Sequence, residues 1–277
     1  MNPGRHTFVR CAGGYANIVP QATRCSQAII REGPMDRLRA SLPPARLQRY
    51  DLACEGTGVD PMDLYRWSNS IALATFDDIS HVEVSMRSSM AQELADRYGM
   101  EWYRNTDILD YPTLKLIDKA WAQGRLQDLT VDLPVLHGKL VSSLMFGFWV
   151  KILGRGSKYN NDRRVYDTLL WKPALRHAFP GVGDLERKRV QTAARVVQQL
   201  RNRVAHHEHI IWGIPLQGDS SSNNSPTRIS VLQAHTALLE LAGYTNEGLK
   251  SWLEENSRVL EIIDQCPIEN TGTFLLK

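Results

Sequence analysis

The sequence predicts an all-α fold, a helical bundle of about seven helices, on three observations. Apolar residues recur at helical spacing, most clearly between Val190 and Val204. Helix-start signals precede such runs, as where Asp60 is followed by Pro61. No strand-like alternation stands out, nor any repeat with a period of roughly 20–50 residues.

Taken in order, residues 1–34 read as a disordered tail, with Gly13-Gly14, Pro3, Pro20 and Pro34 and no sustained period. Residues 35–277 read as a single domain, opening on MDRLRASL. After the turn-prone EGTGVDP, a first long helix is predicted from Asp60 to Tyr98, with Asp63 in its first turn. A second covers Pro112 to Gln123, and a third runs from Leu133 to Leu153 and ends at Gly154. The third contains LVSSLMFGFWVKIL, the longest apolar stretch, bracketed by Lys139 and Lys151. It falls short of the roughly 20 residues that span a bilayer, so it reads as a core helix with no membrane partner. A fourth is expected from Asp162 to Phe179, bent or broken at Pro173. The fifth starts at Asp184; two more cover Arg228 to Ala242 and Asn246 to Gln265, after the linker-like QGDSSSNNSPT.

Composition sets limits on function. The chain has 277 residues, 43% apolar and 23% charged, ordinary for a soluble globular protein. Its N-terminus lacks the apolar core of a secretory signal. Cys11, Cys25, Cys54 and Cys266 lie far apart with no CxxC pair, which points to reduced thiols and a cytoplasmic location. His6, Cys11 and Cys25 match no common ligand spacing, and neither DxD nor HExxH is present, so no metal or other cofactor is expected. The net charge is +3, yet Lys151 to Ile210 hold thirteen Lys/Arg against five Asp/Glu, a local balance of +8 that leaves −5 for the rest. Such a block suits either a polyanionic partner or a solvated helix face.

The motif QLRNRVAHHEHIIW, Gln199 to Trp212, lies in that block. On the fifth helix Val190, Ala193, Ala194, Val197, Leu200 and Val204 form one apolar stripe, and Arg201 sits within it. A guanidinium on a buried face needs an internal carboxylate, a partner subunit or a phosphate. Glu83 and Glu93 on the first long helix are the internal candidates. His206 follows Arg201 by five residues, a divergence of about 140° on an ideal helix. Either the helix ends near Ala205 or two chains assemble the site. Arginine supplies a fork of donors for phosphate, and histidine exchanges protons near neutral pH. Together with Asn202 they suit phosphodiester cleavage, in which a 2′-hydroxyl attacks and a 5′-oxygen leaves. Phe146, Phe148, Trp149 and Trp171 have core spacing, and His137 reads as a satisfied core histidine.

The run LRNRVAHHE, Leu200 to Glu208, resembles the Arg-Asn-x-x-x-His signature of HEPN domains as found in the Abi-like (abortive-infection) bacterial proteins. LYRWSNSIALATFDDISHVEVSMRSSM (64–90), MFGFWVKIL (145–153) and LLWKPALRHAFPG (169–181) resemble further landmarks of that family, in order. The resemblance implies an α-helical bundle, a homodimer and a metal-independent endoribonuclease leaving 2′,3′-cyclic phosphate and 5′-hydroxyl ends. Such an enzyme would act as a toxin or anti-phage effector, with an antitoxin or a phage-derived trigger as further partners. By position it makes Arg201 and His206 the catalytic pair and Asn202 their polar neighbour. His207, Glu208, Glu83 and Arg87 are candidate supporting residues, and Arg195 and Arg203 candidate RNA contacts. Arg87 precedes Ser88 where the family often has asparagine, and Glu83 and Arg87, four apart, are expected to form a local ion pair. The alternatives are a non-catalytic RNA-binding module and a structural dimer with Arg201 in an intersubunit salt bridge.

Overall fold

The computed structural model describes residues 33–183, 187–216, 227–269, 272 and 274–277. The chain divides at Ser41. Before the division lies α1 (Pro34–Ser41), which buries none of its residues. From Leu42 onward the structure is mostly helical and is arranged around α3 (Pro61–Tyr98).

Asp60 caps α3 by accepting from the Met62 N–H at 2.8 Å, Pro61 takes the first helical position, and Gly99 at φ 82° ends it. With 38 residues the helix is about 57 Å long. Its first part buries a broad face that includes Leu64, Trp67, Ser68 and Ile71. Its second part buries one stripe, Val82, Met86, Met90 and Leu94. α2 (Pro44–Cys54), α7 (Arg187–Ala205), α8 (Val231–Thr245) and α10 (Val259–Asp264) pack against it, and α9 (Glu247–Asn256) lies against α8. α6 (Phe146–Ile152) touches α3, α7 and α4 (Tyr111–Gln123), while α5 (Leu133–Ser143) lies beside α4.

The described residues therefore hold ten α-helices, more than the seven predicted, and the differences have local causes. The predicted third helix breaks between α5 and α6 with a 95° bend. Ser142 and Ser143 both turn their hydroxyls onto the Lys139 carbonyl, which competes with helix propagation. The bend lets Leu144 and Phe146 both be buried. It also brings Gly147 against α7, where a Cβ would lie 2.9 Å from the Gln198 amide nitrogen. No single helix among the described residues is long and apolar enough to cross a membrane.

The predicted fourth helix is not α-helical. Residues 158–163 form a hairpin, β1 (Lys158–Tyr159) against β2 (Asp162–Arg163), followed by a π-helical turn (Asp167–Trp171) and two 3-10 turns (Leu175–Ala178 and Pro180–Val182). Pro173 has no N–H to offer the Leu169 carbonyl, and the Tyr98 hydroxyl bonds that carbonyl instead. The predicted last helix divides into α9 and α10 at Ser257, whose hydroxyl bonds Asp78 on α3 at 2.6 Å. A second small ladder pairs β3 (Ile214–Pro215) with β4 (Arg228–Ile229). Residues 1–32, Asp184 and most of the linker after α7 lie outside the described residues.

Candidate functional site

α7 buries the predicted stripe: Val190, Ala193, Ala194, Val197, Leu200 and Val204. Its C-terminal end has a specific geometry. The His206 N–H bonds the Asn202 carbonyl at 3.0 Å, the His207 N–H the Val204 carbonyl at 2.9 Å, and the Glu208 N–H the Arg203 carbonyl at 2.8 Å. His207 sits at φ 56°, so the last two bonds form a Schellman stop with histidine in the left-handed position usually taken by glycine. Ile210 and Ile211 are fully buried beyond it, which holds the stop in place.

This end sorts the motif residues. The Arg201 side chain, 26% exposed, faces Glu83 on α3, with Nε 3.7 Å from a carboxylate oxygen. That distance exceeds hydrogen-bond range, and the buried Nε has no hydrogen-bond partner. The guanidinium is therefore held by charge and left with unused donor capacity. The local pair expected between Glu83 and Arg87 does not form, because Glu83 turns to Arg201. His206 and His207 are exposed at the helix end, and no hydrogen bond or ion pair joins His206 to Arg201 among the described residues. Asn202 is half-buried beside them. Glu208 pairs with Arg203 across the stop, while Arg195 is exposed on the outer face of α7 with no ion pair among the described residues. Arg201 thus faces α3 while His206 is exposed past the end of α7, five residues on, about 140° of turn on an ideal helix.

The contribution of α2 is not evident from the motif. The Arg46 guanidinium donates to the His207 carbonyl at 2.6 Å. The fully buried Tyr50 hydroxyl links Ser68 at 3.0 Å to His209 Nδ1 at 2.7 Å. Burial chiefly, with Arg46 and Arg49 adding to it, pushes the His209 imidazole down to about 4, so it is neutral at pH 7. Burial pushes the Tyr50 phenol up to about 12. Arg49 lies over the Trp212 ring at 4.1 Å. The sequence signal was Arg46 and Tyr50 four apart on one helical face, but their partners lie some 160 residues away. Between α2, α3 and the helix end lies a groove of about 530 Å³, walled by Tyr65, Ala72, Leu73 and Phe76 and edged by Arg46 and His207.

A second polar cluster has the residue types of a hydrolase triad but not its geometry. Asp78, His235 and Ser257 meet at 2.6, 3.1 and 3.3 Å, yet both contacts to His235 fall on the same ring nitrogen. Asp78 and His235 are 3% exposed, out of a substrate's reach. The cluster ties α3, α8 and the α9–α10 joint together. Phe146, Phe148, Trp149 and Trp171 are buried, and His137 accepts from the Trp102 indole at 3.1 Å. Among the described residues, no group of three or more His, Cys, Asp or Glu side chains gathers to hold a metal ion.

No protein-family model matches the chain, and no similar curated protein or solved structure is found.

Proposed function

We propose that the protein is a HEPN-type endoribonuclease of the Abi-like kind, cytoplasmic and homodimeric, that acts as a toxin or anti-phage effector. The observation that carries this reading is the state of Arg201. It sits on the core-facing side of α7, keeps a quarter of its side chain in solvent, and has a buried donor with no hydrogen-bond partner. A phosphate oxygen meeting the solvent-exposed quarter of this side chain is the kind of acceptor that its charge would take. Glu83 holds the guanidinium in place without saturating it.

The exposed His206 supplies the proton transfer. As the 2′-oxygen attacks phosphorus and the bond to the 5′-oxygen breaks, one imidazole takes the 2′-hydroxyl proton and another returns a proton to the leaving oxygen. The products are a 2′,3′-cyclic phosphate and a 5′-hydroxyl. Because Arg201 and His206 diverge on one helix, the cleft is completed by two chains, with His206 of the partner subunit brought toward Arg201. Asn202, between them in sequence, orients the phosphate or the ring. Arg46 fixes the loop from which the histidines project, and Arg195 supplies exposed charge toward the RNA backbone.

The experiment is RNA cleavage by wild type, Arg201→Ala and His206→Ala. Loss of cleavage in both, with unfolding midpoints and RNA affinity near wild type, is the expected result; wild-type rates in both would end the proposal. A second reading has its own observation, the Arg201–Glu83 pair, which makes Arg201 a structural residue tying α7 to α3. That reading predicts that Arg201→Ala lowers stability and that RNA has no effect on the protein.

A further inference from the structure

Away from the α7 end, α4 and the β1–β2 hairpin border a groove of about 500 Å³, within the roughly 300–1,000 Å³ usual for small-ligand sites. It is lined by Tyr103, Arg104, Tyr111, Lys115, Trp121 and Tyr159. Its construction is firm. Asp110, buried next to Tyr111, accepts from the Thr113 N–H at 2.9 Å and from the Ser157 N–H and hydroxyl at 2.8 and 2.9 Å. One carboxylate thus pins both the start of α4 and the start of the hairpin.

Three features define what fits there. Aromatic rings border the groove: Tyr111 is 55% exposed, and Trp121 and Tyr159 are half-buried. Each already has a cation over its ring: Lys115 at 5.3 Å from Tyr111, Arg104 at 5.3 Å from Trp121 and Arg164 at 5.7 Å from Tyr159. A cationic ligand is therefore opposed. Arg104 is paired with Glu101, and Arg164, outside the lining, donates to the Thr106 carbonyl, whereas Lys115 in the lining has no carboxylate partner among the described residues, so its positive charge is left over there. Asp118 is the one carboxylate in the lining. Lastly, Tyr103, which borders the groove, is 1% exposed, and its buried hydroxyl has no hydrogen-bond partner. Burial pushes that phenol above its ordinary value, which keeps it protonated as a donor.

We propose that this groove binds a nucleoside phosphate, with its base stacked on Tyr111 and Trp121, its phosphate on Lys115, and a polar edge toward Tyr103. A flat aromatic ring joined to an anion satisfies all three features, whereas a purely apolar ligand would leave the cations and the phenol unpaired. The proposal does not depend on the reading of Arg201 and His206, which lie on a different helix.

The test uses the full chain and two probes that this cleavage chemistry cannot consume. Adenosine 5′-monophosphate is followed by calorimetry and a short labelled oligodeoxyadenylate by anisotropy. Tyr111→Ala and Lys115→Ala alter exposed side chains, so thermal unfolding should match wild type. Each should weaken binding by about fivefold to a hundredfold. Binding of the free nucleotide identifies a soluble ligand; binding of the oligonucleotide alone identifies a single strand as the source. Absence of binding to either probe, or affinity unchanged in both variants, overturns the proposal.

Discussion

Acidification should strip stability from this protein through His209. The ring lies edge-on to Tyr50 and Trp212, at centroid distances of 5.0 and 5.3 Å, with Arg46 and Arg49 close enough to disfavour its charged form. Its value falls to about 4 in the folded chain and returns to about 6.5 on unfolding. The unfolded chain therefore takes up the proton first. The contribution is complete above pH 6.5, declines as pH falls toward about 4, and is constant below. At about 1.4 kcal/mol per pK unit the difference reaches about 3 kcal/mol, and the ring's partial exposure reduces it to about 1–2 kcal/mol. Urea unfolding of wild type and His209→Gln at neutral pH and near pH 4.5 isolates this share, since titrating carboxylates affect both proteins alike. The wild type should lose about 1–2 kcal/mol more than the variant. Equal losses, or a His209 ring that titrates near 6.5 in an NMR series on the folded protein, would show that burial of this ring carries no such cost.

Three further outcomes are expected. Asp78→Ala removes the acceptor shared by the half-buried Ser257 and the buried His235, which keep only their mutual contact; unfolding should show a loss of about 2 kcal/mol, with Asp78→Asn losing less. Gly156→Ala places a Cβ 2.0 Å from the Arg164 carbonyl at φ +73°, and should cost about 3 kcal/mol or more by the same assay. His207→Gly relieves a left-handed histidine at the end of α7 and should raise stability by about 0.5–1 kcal/mol in thermal unfolding.

What could be read in advance followed local chemistry. α3 was legible almost to the residue, because Asp60, Pro61 and Gly99 mark its ends within the chain itself. The buried stripe of α7 followed from spacing alone, and Glu83 was one of the two partners nameable for Arg201, with Glu93 the other. Elements set by distant partners were not legible. The break before α6 depends on where Leu144 and Phe146 find cover, and the turns around Pro173 depend on a hydroxyl from Tyr98. At the site, the Tyr50–His209 bond joins residues 159 apart, so the part played by α2 could not be inferred from a motif on α7. A helix end near Ala205 was one of the alternatives that the Arg201–His206 spacing left open; the left-handed His207 that makes the stop was not foreseen.

The most direct test of the central claim is the chemistry of the cut ends. Wild type and His206→Ala are incubated with RNA in EDTA and the fragments are analysed. Wild type should yield 2′,3′-cyclic phosphate and 5′-hydroxyl ends, and the variant should leave the RNA intact. Fragments with 5′-phosphate ends, or equal cleavage by both proteins, would contradict it.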